Sequence, residues 1–323
     1  MLSAESFGKK QIVFIFFNAG EKLSFSNDNL VVRRPDGTIK FQCTCYRLFV
    51  VFAVGHGSIT DGLILRAKKF GFSVVWLTPT MRPIQTIGFS LEGNTLLRRA
   101  QYEYDSLDIA KHLIRNKIAN QRKALERIRE KSEMQLEAIG HLKDAADRVD
   151  ETSSIREIMG VEGSASRVYF TNYFNNTLWT RRAPRTKIDM PNALLDIGYT
   201  ILFSFLEALL ACYGFDLYHG VLHRSFYMRK SLVCDLMEPF RVLVDAQVRK
   251  AINLKQCSEE DFLVDQNRYL LKWEKNGEYV AWLAKPVLQN KQEIHKYVQS
   301  YYRAFMKGKP AEDFPLFEWG TPE

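Results

Sequence analysis

The chain has 323 residues, 46% of them hydrophobic, and a formal net charge of +8 with a pI near 9.1. That length admits two ordinary domains or one large one with substantial cores, and the moderate basicity permits a polyanionic partner without requiring one. No uninterrupted apolar run reaches a membrane span: LFVVFAV (48–54) and IGYTILFSFL (197–206) are short, and Asp196 and Glu207 bracket the second. The opening residues MLSAESFGKK lack the arrangement of a secretory leader, and the five cysteines form neither a disulfide framework nor a CxxC pair. A reduced, cytoplasmic protein with no membrane contact is expected.

In chain order, QIVFIFF (11–17), a short segment near Lys22–Phe25 and NLVVRR (29–34) read as strands. Pro35-Asp36-Gly37 makes a turn before TIKFQCTC (38–45), which predicts a hairpin. LFVVFAVG (48–55) is a buried strand. Ser58 or Thr60 then caps a helix with Asp61 in its first turn, ending at Gly71, and FSVVWLT (72–78) is another buried strand. A helix between two apolar strands predicts a crossover inside an otherwise mostly antiparallel sheet.

Beyond LEGN (91–94) the period changes from strand to helix. The chain therefore reads as α+β, a β-rich N-terminal domain over 1–93 followed by a larger all-helical domain over 94–323. LLRRAQYEY starts the first helix, a long one runs from about Leu107 to Lys131, and another covers 133–149. Residues 154–180 make one or two more, broken near Gly160. The stretch 193–214 is apolar nearly all round and belongs at the centre of a bundle. Within 231–252, Leu232, Val233, Leu236, Met237, Phe240, Val244, Val248 and Ile252 recur at helical spacing, and Pro239 predicts a bend. From about Ser258 the pattern is amphipathic helix with an aromatic tail, FPLFEW (314–319). That tail docks on its own domain or on a neighbouring subunit.

The chemistry concentrates in SLVCDLMEPFR, where Asp235 and Glu238 lie three apart on one helical face, shortly after His223 in GVLH. Two acids beside an apolar stripe repel and lose water, so they call for a cation or a proton. A divalent metal with a nearby histidine answers both needs. Without one, the pair is a salt-bridge network with Arg241, worth tenths of a kcal/mol on an exposed face. A third carboxylate, Glu162, stands between Gly160 and Gly163 near the start of a helix, where an acid also serves as a simple capping aid. His219 and His223 are four apart, but Gly214 and Gly220 argue against one regular helix across them, and no HExxH pattern is present.

In this order, MGVEGSASRVYF, a basic stretch leading into NALLDIGYTILF, YGFDLYHGVLH and SLVCDLMEPFR resemble the CRISPR-associated spacer-acquisition integrases, the Cas-one family. KLSFSNDNLVVRRPDGTIKF, VGHGSIT and EGNTLLRRAQY extend the resemblance through the N-terminal half. It implies a helical catalytic domain, a homodimer, and a small ferredoxin-like partner subunit bridging two dimers. The implied reaction joins the 3′-hydroxyl ends of short double-stranded DNA fragments to the borders of a CRISPR repeat. Carried over, Glu162, His223 and Glu238 would be catalytic metal ligands, with Asp235 a further ligand or a supporting partner. The family often has aspartate where this chain has Glu238, and glutamate reaches one methylene farther.

Such a donor set suits Mg²⁺ or Mn²⁺. The attacking group would be a DNA 3′-hydroxyl, so no nucleophilic Ser or Cys is required. Arg181, Arg182, Arg185 and Lys187 form a cationic loop between two of the motifs, and Arg224, Arg229 and Lys230 follow His223. Residues 111–131 hold eight Lys or Arg against two acids, with Arg115, Arg122 and Arg129 at seven-residue intervals; such a run is also the mark of a solvated face. These are the candidate DNA contacts, sequence-tolerant and salt-sensitive. Asn192 and Arg241 would support the site, Asn192 alternatively as a helix-start residue. Two further functions fit the residues: a metal-dependent nuclease for branched DNA, and a non-catalytic DNA-binding scaffold.

Overall fold

The computed structural model describes residues 3–175, 179–223 and 227–320. A short helix α1 (Ala4–Gly8) precedes β1 (Gln11–Phe17), and β2 (Lys22–Ser26), β3 (Asn29–Arg33) and β4 (Ile39–Thr44) form an antiparallel meander. Then come β5 (Leu48–Gly55), β6 (Ser58–Ile59), α2 (Asp61–Phe70), β7 (Ser73–Leu77) and β8 (Pro83–Gly88). The turn expected at 35–37 joins β3 to β4, and Gly71 ends α2 in the left-handed region that glycine adopts without strain.

These strands form two sheets rather than the single, mostly antiparallel one expected. One has the order β1-β5-β7-β8, with β1, β5 and β7 parallel and only β8 antiparallel; the other has the order β4-β3-β2-β6. The cause is burial. Every residue of β5 is buried, as befits a central parallel strand covered on both faces. Val51 and Ala53 face a small core shared with Leu23, Leu30, Leu63 and Ala67, while Val50, Phe52 and Val54 join the main core of the helical part. The helix between β5 and β7 thus crosses over within the parallel sheet.

The helical part comprises α3 (Thr95–Glu103), α4 (Asp108–Glu126), α5 (Glu133–Asp150), α6 (Ile155–Tyr173) and α7 (Met190–Tyr213). It continues with α8 (Ser231–Met237), α9 (Arg241–Asn253), α10 (Asn276–Gln289) and α11 (Lys291–Met306). α4, α5 and α6 pack on one another, and α7 is gripped by α8, α9, α10 and α11. By length and composition α7 would cross a membrane, but most of it is buried at the centre of this core. The LEGN segment is seated on the end of α7: Leu91 N–H donates to Ala211 O at 3.0 Å and Asn94 Nδ2 to Tyr213 O at 2.9 Å. A side chain at Gly214 would strike Leu91 O.

Three helical expectations need correction. The long helix ends at Glu126, so Arg129 lies beyond it. α6 runs unbroken through Gly160 and Gly163, because a glycine inside a helix costs only about 1 kcal/mol and the flanking turns pack well. Residues after Ser258 are not all helical: β9 (Phe262–Asp265) and β10 (Arg268–Leu271) form a hairpin across Gln266 and Asn267, both at positive φ.

Candidate active site

Glu162 sits in mid-helix on α6, not at its start. Ser154 caps that helix instead, accepting from Glu157 N at 3.3 Å. Gly160 and Gly163 face open space, on other sides of the helix than Glu162. Glu238 stands where α8 gives way to a 3-10 turn, Glu238–Phe240, ahead of α9. Pro239 enforces the expected bend here. Asn120 Nδ2 donates to Pro239 O at 3.1 Å, and Phe240 packs against Tyr297 and Phe317, with ring centroids 4.9 and 4.6 Å away. Phe317 belongs to the aromatic tail, which folds back onto its own α4. Asn116 Nδ2 and Asn120 Nδ2 each donate to Phe317 O at 2.8 Å.

Between the two acids lies a residue that no motif indicated. Lys117 on α4 is buried, and its Nζ donates to Glu162 Oε1 and, at 2.7 Å, to Glu238 Oε2. Arg241 Nε donates to the same Glu238 oxygen at 2.9 Å, and Ser166 Oγ to Glu162 Oε1 at 2.9 Å. Burial alone would push the Glu238 carboxyl up, but Arg241 and Lys117 outweigh it and hold the group at about 2. Burial likewise disfavours the Lys117 ammonium, yet Glu238 and Glu162 keep its pKa above the ordinary lysine value. The only signal in the sequence was faint: Asn116, Lys117, Asn120 and Gln121 share the face of α4 that carries Leu113, Ile114 and Ala124, and polar groups buried there need partners.

His223 and Asp235 form a second pair. Asp235 is fully buried; its Oδ2 accepts from Val221 N at 2.7 Å and Leu222 N at 2.9 Å, and its Oδ1 from His223 N at 3.1 Å. His223 Nδ1 completes the set at 2.6 Å from Oδ1. A side chain at Gly220 would collide with Asp235 Oδ2, so the glycine lets the loop close over the carboxylate. With four donors on its two oxygens, Asp235 fixes the ring through Nδ1. Of the two roles open to Asp235 in the sequence, this geometry favours the supporting one.

Among the described residues no three His, Cys, Asp or Glu side chains gather as a ready metal cage. Glu162 and Glu238 meet on one cation, while His223 is held by Asp235, three residues before Glu238 on α8. The donor chemistry nonetheless fits a hard divalent ion. Two carboxylates already converge on a single positive charge, the Lys117 ammonium, which stands in for a metal ion.

The basic candidates divide. Arg181 and Arg185 are exposed. Arg182 instead donates to Asn192 Oδ1 and Asp196 Oδ1, each at 2.8 Å, and lies 5.4 Å from the Tyr199 ring centre. Lys187 is not a surface contact: it is buried, and its amine donates to Thr80 O at 3.2 Å. Asn192 accepts from Ala183 N and donates to Asp189 Oδ1 in the first turn of α7, a helix-start role. Arg115 pairs with Asp150, Arg122 with Glu126 and Lys230 with Glu207. Arg229 is half-buried, and Arg224 lies outside the described residues.

A strand-rich N-terminal part leads into a helical part that gathers acids from distant segments, an α+β build. Residues 14–284 match the family of CRISPR associated protein Cas1. The chain belongs to that family. It is 35% identical over 229 residues, 67% of this chain and 72% of the relative, to CRISPR-associated endonuclease Cas1 1 of Thermodesulfovibrio yellowstonii. Among solved structures, a casposase bound to integration product shares the fold with a TM-score of 0.80 at 20% identity, covering 97% of this chain and 96% of that one. A chain of a Cas6-RT-Cas1--Cas2 complex does so at 0.83 and 22% identity, covering 97% of this chain but only 36% of the other.

Proposed function

We propose that this protein is the metal-dependent DNA integrase of CRISPR adaptation, joining the 3′-hydroxyl ends of short duplex fragments to repeat borders by transesterification. The observation that carries the proposal is the convergence of Glu162 and Glu238, from segments far apart in sequence, on one cation within a Cas1-family chain. The name of the Thermodesulfovibrio relative and the casposase likeness support the same class of chemistry. Glu162, Glu238 and His223 Nε2 would hold Mg²⁺ or Mn²⁺, with Asp235 orienting the imidazole and Arg241 fixing Glu238. When bound, the ion would supply positive charge to the reacting phosphodiester. The chain's own groups do the rest: the bent α8–α9 junction fixes one acid, and Ser166 and Lys117 position the other. Arg181 and Arg185 would bind backbone phosphates without reading sequence.

The partners in this reading are double-stranded DNA, a second copy of the chain, and a small ferredoxin-like subunit bridging two dimers through the β-rich domain. The Cas1--Cas2 assembly named for one structural neighbour supports a partner subunit of some kind. The test incubates the pure protein, with and without that subunit, with a labelled short duplex and a repeat-bearing plasmid in Mn²⁺. Covalent transfer of label to the repeat borders, abolished by a chelator, is the expected result. Cleavage of branched DNA without joining would assign the chain to the nuclease alternative instead.

A further inference from the structure

Lys117 occupies the position that a divalent ion bridging Glu162 and Glu238 would need. Its Nζ touches an oxygen of each acid, with only 7% of the side chain exposed. Two cations cannot share that position, because like charges a few ångströms apart in a desolvated pocket repel strongly. The four groups Glu162, Glu238, Lys117 and Arg241 carry two negative and two positive formal charges. The cluster is therefore neutral without a metal, and any ion entering it brings two charges in excess.

We infer that Lys117 is a resident counter-ion: it holds Glu162 and Glu238 together in the metal-free protein and is displaced when a divalent ion enters. The inference rests on the proposed metal reading and adds a competition to it. Metal binding must break two charge-assisted contacts at Lys117, so the chain gives up metal affinity in exchange for an acid pair that is assembled in advance. A lysine that merely braced α4 against α6 would support the acids with the metal bound as well as without it, and removing it would leave affinity unchanged or weaken it.

The experiment measures Mn²⁺ affinity of the full chain by calorimetry, together with the melting temperature with and without Mn²⁺. In Lys117→Met the expected dissociation constant falls by about tenfold. The metal-free melting temperature drops, and Mn²⁺ raises it by more than it raises wild type. Unchanged or weaker Mn²⁺ binding by the folded variant overturns the inference. Lys117→Gln, which keeps one donor to a carboxylate, is read by the same criteria if the methionine variant does not fold. Wild type supplies an independent readout by acylation and mass spectrometry: Lys117 gains reactivity at saturating Mn²⁺, and unchanged reactivity counts against displacement. Glu162→Gln separates the two readings. Mn²⁺ binding that survives this change sinks the metal site itself, whereas binding lost there yet unaltered by Lys117→Met sinks only the counter-ion.

Discussion

The two halves of the site keep their carboxylates in place by opposite means. Glu162 and Glu238 stand on helical segments and are neutralised by side-chain cations, Lys117 and Arg241. Asp235 is held instead by three backbone amides of the loop at 221–223 and by the ring of His223. Charges held by mobile ammonium and guanidinium groups can be exchanged for another cation. A carboxylate locked by backbone amides can exchange nothing without unfolding its loop. On the proposed reading the first half receives a ligand, and the second holds one imidazole still.

The sharpest break of this comparison removes one ligand from each half. His223→Ala and Glu238→Ala are each expected to lower Mn²⁺-dependent strand transfer by about 10³-fold or more, with DNA binding retained. Single-turnover assays with a labelled duplex, paired with filter binding, check both parts. Wild-type turnover by either variant would remove that residue from the site.

A smaller effect is expected at Asp235. Asp235→Asn keeps the shape but sets an amide against three backbone donors and His223, so the loop loosens and the ring loses its fixed orientation. Loss of such an outer partner costs about 10–100-fold in metal affinity. Calorimetric Mn²⁺ titration reads it directly. A loss as complete as that of Glu238→Ala would instead make Asp235 a direct ligand.

The sequence exposed these halves unequally. Asp235, Glu238 and His223 lie within one short stretch, and the helical stripe around them is strongly periodic, so their neighbourhood was legible. Lys117 was hidden in a run of basic residues that reads as a wet surface, and only tertiary packing turns it toward acids 45 and 121 residues away (162 − 117 and 238 − 117). Gly160 and Gly163 suggested a helix break because glycine weakens helices, but the packing of α6 on α4 and α5 overrides that preference. The β9–β10 hairpin was missed since four-residue strands are too short to show a period within a helical background. The parallel sheet was misread because its antiparallel neighbour supplies most of the local turn signals.

Titration sets Glu238 apart from Asp245, a buried acid outside both halves. Glu238 ionises at about 2 in the fold against roughly 4.3 unfolded. Its contribution to stability is therefore complete above the unfolded value and lost as pH falls through about 2. Asp245 behaves in the opposite sense: burial pushes it up to about 6 despite the Tyr199 hydroxyl and Arg241. Its contribution is present below the ordinary aspartate value and lost as pH rises through about 6. Asp245→Asn is therefore expected to stabilise the protein by about 1–3 kcal/mol at pH 7.5 and to do little at pH 4. Thermal melts at the two pH values check this, and equal shifts at both would refute the assignment.

The smallest effect concerns the basic loop that leads into α7, the proposed DNA contact. Arg185 is exposed, whereas Lys187 two residues later is buried on Thr80 O. A phosphate contact releases counter-ions, so Arg185→Ala is expected to reduce the slope of log affinity against log salt by about 0.9. Lys187→Ala should leave that slope unchanged and lower the melting temperature, since its amine serves the fold. Binding isotherms at several salt concentrations distinguish the two. If both variants changed the slope equally, the loop would have to open on DNA and release Lys187 from the sheet. The basic loop would then share the exchangeable character of the Glu162–Lys117–Glu238 cluster and not the fixed character of the Asp235 loop.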